Sequence, residues 1–250
     1  MIYLEDPNIL FLKPFKVAGT SFEIALSKFA GANDIISQLR KDNHIRRNLG
    51  LQDGSNYKYS WRERLSMHPR RQLKLLYYKH KRIKFPQHTS AKMARNLLGE
   101  EAFSKVFKIS IVRDPFDYLI SYYFWRNREH VKPRPTFASW IRRNPWVLTH
   151  NHQFYYLNGQ DIIDYYVRFE NLLEDTKKLE KMKPELEGLT QTFSEISAKS
   201  SIRPSDATRE TMFKDQPLLV EVVRFFQGDH MERFGYHAPP ATTAAQRTTD

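Results

Sequence analysis

An α/β fold built on a parallel sheet is what the 250-residue sequence predicts, and three observations carry it. Short apolar runs rich in β-branched residues alternate with stretches of helical periodicity. The runs are nearly continuous, as in strands covered by helices on both faces. Each run also leads into a polar loop that opens a helix, so that ligands would gather beyond the carboxyl ends of the strands.

The first strand is Ile9 to Leu12, an apolar run that stops just before Pro14. A helix follows from about Ser21, with Phe22, Ala25, Leu26 and Phe29 at the i, i+3, i+4, i+7 spacing of one buried face and Gly31 as its stop. Residues 32–86 read as a basic, helical insertion with helices on either side of Pro69. A helix from near Ser90 turns Met93, Leu97 and Leu98 inward and ends at Gly99. "VFKISIV", Val106 to Val112, is the clearest strand and is expected at the centre. "RDP" closes it, and "FDYLISYYFWRN" continues as a helix with Pro115 in its first turn. Asp164 to Phe169 is the third strand, followed by a helix from about Asn171. "DQPLLVEVVRFFQGD" is a late amphipathic helix with Pro217 near its start. The expected organisation is one domain over 1–237 and a small, polar, disordered tail over 238–250. No internal repeat is present.

Composition narrows the function classes. Hydrophobic content of 40% and aromatic content of 14% supply a core and exclude global disorder. With no cysteine, disulfides and thiolate metal sites are excluded, and a reducing compartment fits. No apolar run approaches the roughly 18 residues needed to span a bilayer. "MIYLEDPNIL" lacks a basic region ahead of an apolar one, so no secretory signal is read and a cytoplasmic protein is expected. The net charge of +12 is local: Arg40 to Lys84 carries fourteen Lys and Arg against three acids, a surplus of +11. Such a segment suits an anionic substrate, an acidic membrane face or nucleic acid, or is a solvated basic helix pair. No recognised nucleic-acid motif accompanies it.

Two motifs build a site. In "KVAGTS", Lys16 to Ser21, Gly19 allows close backbone approach, and Thr20 and Ser21 offer hydroxyls and amides at the positive end of a helix. Lys16 adds a mobile charge. Thr20 and Glu23 also have capping-box spacing, which needs no ligand. No lysine follows the glycine as in a nucleoside triphosphatase, and the central strand ends in arginine where a magnesium carboxylate would stand. A phosphate held by protein cations without metal fits better. In "VRDPFDYLIS", Arg113 emerges at a strand end and Ser121 follows about two helical turns later. Asp114 there can simply cap the helix.

Together, "PFKVAGTSFEIAL" and "ISIVRDPFDYLISYY" resemble the two cofactor motifs of the sulfotransferases that use 3′-phosphoadenosine-5′-phosphosulfate (PAPS), most closely the carbohydrate-modifying branch and its bacterial relatives. "QHTSAKMARNLLG", "DYYVRFENLLED" and "FFQGDHMERFGY" extend the likeness over most of the chain outside residues 32–80. The resemblance implies a P-loop-like three-layer α/β fold, a central parallel sheet flanked by helices. It implies that Lys16, Ala18, Gly19, Thr20 and Ser21 hold the 5′-phosphosulfate and that Arg113 and Ser121 hold the 3′-phosphate. Lys199 and Ser200, in "AKSS", stand in the place of a late element that assists that phosphate, with Ala198 where an asparagine is usual. Tyr118 stands where many carbohydrate sulfotransferases have a further arginine.

In that reading the protein transfers a sulfuryl group from PAPS to a carbohydrate or glycoconjugate hydroxyl, less readily an amine, releasing the desulfated product PAP without metal. Lys16 stabilises the leaving phosphate. His88, in "PQHTSA", resembles the catalytic histidine of related carbohydrate enzymes and is the general base, with Glu170 as second candidate. His150 and His152 have the spacing of a metal pair but no further ligand at helix spacing, and are read as a loop. Arg70, Arg71 and Lys74, interleaved with Trp61, Tyr77 and Tyr78, are the expected acceptor contacts and suit an anionic saccharide. A bacterial cytoplasmic setting is expected, peripheral membrane contact is left open, and nothing indicates an oligomeric state. The competing classes are an ATP-using kinase-like enzyme and a non-enzymatic basic binder of nucleic acid or membrane.

Overall fold

A computed structural model describes residues 1–39, 42–77, 82–129, 133–196 and 203–240. In chain order its elements begin with β1 (Ile2–Leu4), β2 (Ile9–Phe11), α1 (Gly19–Leu26), β3 (Ile35–Ile36), α2 (Asn43–Asn48), α3 (Trp61–Leu65) and α4 (Pro69–Tyr77). They continue with α5 (Ala91–Leu98), α6 (Glu100–Lys105), β4 (Phe107–Val112), α7 (Pro115–Arg126), α8 (Phe137–Arg143) and α9 (His152–Tyr155). The last are β5 (Tyr156–Leu157), β6 (Gln160–Asp161), β7 (Tyr165–Arg168), α10 (Leu172–Met182), α11 (Leu189–Glu195), α12 (Arg209–Met212) and α13 (Pro217–Phe234). The chain forms two compact units: residues 1–112 with 152–198, and residues 113–151 with 199–250.

The first unit is α/β with a mixed sheet and helices on its two faces. Strand order is β3-β1-β2-β4-β7. The three strands read from the sequence, β2, β4 and β7, are mutually parallel, with Ile9 beside Phe107 and Ile109 beside Tyr165. β1 and β3 add antiparallel pairings, Ile2 with Phe11 and Ile2 with Ile36. The expectation of a purely parallel sheet is corrected accordingly. A tight turn returns β1 into β2 without the loop and helix that mark a parallel strand, and β3 has only two residues.

Alternation along β2 sorts the core into two clusters. Ile9 and Phe11 pack with α1, α10 and α11 through Phe22, Leu26, Leu179, Leu189 and Phe193. Leu10 and Leu12 pack on the other face with Phe85, Ala91, Ala94, Phe103 and Phe154. β4 is central as expected, and its Ser110 hydroxyl donates to the Leu12 carbonyl at 2.8 Å. Arg168 at the end of β7 forks onto Asp175 of α10, with Nε and Nη2 donating at 2.8 and 3.0 Å.

The second unit is helical. Phe116 and Tyr123 of α7 pack with Phe213 after α12 and with Phe137 and Trp140 of α8, and Leu119 of α7 is buried. Asp114 caps α7, accepting from the Phe116 and Asp117 amides at 2.9 and 3.0 Å, with Pro115 in the first turn. The late helix starts at Pro217 and runs on to Phe234, farther than its apolar pattern indicated. Among the described residues no helix is long and apolar enough to cross a membrane.

Asp175→Ala is expected to destabilise the fold by about 2 kcal/mol, since the buried carboxylate accepts charge-assisted bonds from both the backbone and the guanidinium of Arg168. A urea midpoint shift at unchanged slope measures it.

Candidate cofactor and catalytic site

The loop from β2 to α1 is shaped by its two ends. Leu12 extends the ladder, its amide donating to the Ile109 carbonyl at 3.0 Å. Val17 is fully buried and pins the loop's middle. Lys16 and Ala18 take left-handed backbone angles, φ 61 and 59°. Non-glycine residues held there cost of order 1 kcal/mol each and persist where the surroundings over-determine them, commonly at ligand loops. α1 begins at Gly19, with the Ser21 and Phe22 amides both donating to the Ala18 carbonyl at 3.1 and 3.3 Å. Thr20 and Ser21, half-buried in this first turn, therefore lie where helix amides point outward.

The capping box that the Thr20–Glu23 spacing offered as an alternative is not formed. Ala18 is the N-cap, and no side chain caps α1. Glu23 turns inward, fully buried, where Lys13 Nζ pairs with its Oε2 at 2.7 Å and Arg46 Nη2 with its Oε1 at 3.1 Å. The Met1 amino group lies 3.4 Å from the same carboxylate, and the Ser37 hydroxyl donates to it at 2.7 Å. Burial alone would raise the Glu23 carboxyl. Lys13, the Met1 amino group and Arg46 outweigh it and hold the group at about 2.

Gly19 also has a reason other than the one read from the sequence. A Cβ there would lie 2.6 Å from Lys13 Cγ and 3.1 Å from Cδ. The glycine makes room for the Lys13 stem, which passes beneath the loop so that the ammonium pairs with Glu23 and donates to the Thr20 hydroxyl at 3.5 Å. Lys13 is thus a central residue that motif reading missed. The available signal is a lysine inside a buried apolar run, six residues ahead of a glycine.

His88 is brought to the same place. Phe85 and Thr89 are buried on either side of it, Ser90 caps α5 through the Met93 amide at 3.3 Å, and the Gln87 carbonyl accepts from the Met1 amino group at 2.8 Å. The imidazole stacks on Phe15, centroids 3.9 Å apart, and meets the edge of Phe154 at 6.3 Å. Its Nδ1 lies 2.9 Å from the Lys13 carbonyl. A carbonyl only accepts, so Nδ1 carries the hydrogen and, in the neutral ring, Nε2 carries the lone pair. Burial, then the Lys13 charge, lower the His88 pKa to about 3.

In the second unit Arg113 directly follows β4 in the chain, and Ser121 is half-buried on α7. Tyr118 is a buried aromatic of the same helix, packed on Tyr122 at 5.7 Å. Lys199 and Ser200 lie outside the described residues. Arg70 and Arg71 are exposed on α4, with Arg71 Nη2 donating to the Tyr59 hydroxyl at 3.2 Å. Lys74 and Tyr77 share that helix, and Tyr78 lies outside the described residues. Glu170 is exposed in a 3-10 turn, and α10 has Asn171 as its N-cap without a side-chain cap bond. His150 packs its ring against Tyr122 and Trp146. Among the described residues no group of three His, Asp or Glu is placed to hold a metal ion.

A strand, a loop with left-handed residues, a helix start and a neighbouring oriented imidazole define, in class, an α/β protein with its candidate site at a strand–loop–helix junction. The chain matches the model of the Sulfotransferase family over residues 1–237, and it belongs to that family. No curated protein and no solved structure matches it.

Two outcomes follow from this geometry. Gly19→Ala is expected to cost about 1–3 kcal/mol, because the added methyl overlaps a buried, ion-paired stem rather than a free chain end. Chemical denaturation measures it. In histidine NMR spectra of the ligand-free protein, His88 is expected to stay neutral from about pH 8 down to about pH 5, whereas an exposed histidine titrates near 6.5.

Proposed function

We propose that the protein transfers a sulfuryl group from PAPS to a hydroxyl of a carbohydrate or glycoconjugate, as a member of the carbohydrate-modifying, bacterial-type branch. Residues 1–237 form its functional domain, on a P-loop-like scaffold. The observation that carries the reading is the single-tautomer imidazole of His88, bonded to the backbone of the very loop whose motif marks the phosphate site.

PAPS supplies the sulfuryl group and a phosphate leaving group. Lys16, Ala18, Gly19, Thr20 and Ser21 bind the 5′ end, where first-turn amides and the Lys16 ammonium meet negative charge. Arg113 and Ser121, with Lys199 and Ser200, are assigned the 3′-phosphate on the motif. Nε2 of His88 takes the acceptor O–H proton as the acceptor oxygen bonds to sulfur. The bond from sulfur to the 5′-phosphate oxygen breaks in line with it, and Lys16 neutralises the charge left there. PAP is the product, and no metal is assigned a role. The bound cofactor's negative charge offsets Lys13 and makes His88 a stronger base than in the free protein. Arg70, Arg71, Lys74 and Glu170 are assigned to the acceptor, for which the basic α3–α4 region favours an anionic saccharide. The setting proposed is the bacterial cytoplasm.

PAP without metal is expected to raise the melting temperature more than ATP with Mg²⁺; stabilisation by ATP–Mg²⁺ alone would replace this reading with a kinase-like one. With labelled PAPS and a panel of glycans, His88→Ala is expected to lower kcat by about 100-fold or more while PAP affinity holds. Lys16→Ala is expected to impair both. A His88→Ala protein of normal rate removes the imidazole from the chemistry.

A further inference from the structure

Lys16 is the lysine that the motif marks, but Lys13 lies beneath the loop itself. Its side chain is 1% exposed, pairs with Glu23 at 2.7 Å and lies 3.5 Å from the Thr20 hydroxyl. Arg46, with no exposure, shares the same carboxylate at 3.1 Å. Two strong cations thus converge on one buried acid. Burial above all, against the pull of Glu23, lowers the Met1 amino group to about 5, so it adds no charge at neutral pH. Buried charges are ordinarily balanced, because desolvating an uncompensated ion is costly. Here the Lys13 ammonium lies under the first turn of α1, within 3.5 Å of the Thr20 hydroxyl, where it would attract an anion held on the loop.

We infer that Lys13 is a positioning residue for sulfuryl transfer: its stem and ammonium form a charged floor under Gly19 and Thr20 that an anionic cofactor completes, while its carbonyl orients His88. The inference rests on the reading of this loop as the PAPS site and adds to it a residue outside the motif. The titratable groups facing His88 are Lys13, Glu23 and the Met1 amino group, the last neutral at pH 7; its ring neighbours Phe15 and Phe154 are uncharged. An anion on the loop would therefore act on His88 chiefly by offsetting Lys13. The base gains strength when the cofactor is present and is weak without it. Cofactor binding and base activation are one electrostatic event.

The test follows the His88 resonance of the full chain through a pH titration, with and without PAP, in wild type and in Lys13→Met, alongside calorimetric PAP affinity. Methionine keeps the stem's length and removes the charge. PAP is expected to raise the wild-type His88 midpoint by about one unit, tenfold in basicity. Lys13→Met is expected to raise the ligand-free midpoint and weaken PAP about tenfold. A merely structural role would weaken binding without moving the titration. A folded Lys13→Met protein with wild-type affinity and an unmoved His88 overturns the inference. Should that variant not fold, the wild type decides: a His88 midpoint that saturating PAP leaves in place overturns it equally. A wild type that binds inorganic phosphate but not PAP overturns the cofactor reading instead, and phosphate then serves as the anion in the same titration.

Discussion

The Lys13–Glu23 ion pair is the constraint on which the rest of the first unit's site depends. It joins the end of β2 to the second turn of α1 from below, so the loop between them cannot relax independently. Gly19 is small because the Lys13 stem crosses beneath it. Glu23 lies inside the fold and is unavailable for a helix cap, which leaves the start of α1 to the strained Ala18 backbone. Even the orientation of His88, seventy-five positions along the chain, comes from the carbonyl of that lysine. Breaking a buried pair from one side leaves an uncompensated charge, so such an arrangement is difficult to alter one residue at a time.

This explains how an imidazole can be well placed and yet weakly basic. The contact that fixes its tautomer comes from the residue whose ammonium discourages its protonation. Orientation and basicity, which are often tuned by a single carboxylate partner, are separated here: a backbone oxygen supplies the first and a buried cation sets the second. The stacked Phe15 and edge-on Phe154 hold the ring without adding charge.

Much of this was legible in the sequence, and the failures have physical causes. β2, β4 and β7 were found because each lies in an apolar or β-branched run that leads into a loop and a helix, the pattern of a parallel strand. β1 and β3 were not, being short strands whose partners are set by tertiary pairing. The spacing S/T-x-x-E occurs at Thr20–Glu23 and at Ser60–Glu63, and only the second is a capping box. At Ser60 the glutamate is at the surface and returns to the helix end, where Lys84 meets it at 2.6 Å. At Thr20 the glutamate sits on the core side of α1 opposite two buried cations, and burial overrides the local pattern. Arg46 was hidden for a related reason. Within a run of basic residues nothing in its identity separates the one that goes inside, donating to Ser37 and Glu23, from those that stay in solvent. The β2–α1 loop and the start of α1 were readable because a strand, a glycine and a helical periodicity are written locally, whereas the Lys13–Glu23–Arg46 cluster beneath that loop is assembled from distant positions.

The basic insertion, finally, has two parts of unequal attachment. Its first part delivers Arg46 into the core. Its second part, α3 and α4, leaves and returns through a narrow neck where Lys58 bridges Ile83, the Tyr59 amide donates to the Arg82 carbonyl and the Lys84 amide to Tyr57. The described residues between Tyr59 and Arg82 are bounded by that neck. The chain is therefore modular at this point: the outer arm can be exchanged for one of different length or charge without disturbing the core, whereas residues 37–39 and 42–51 belong to the foundation.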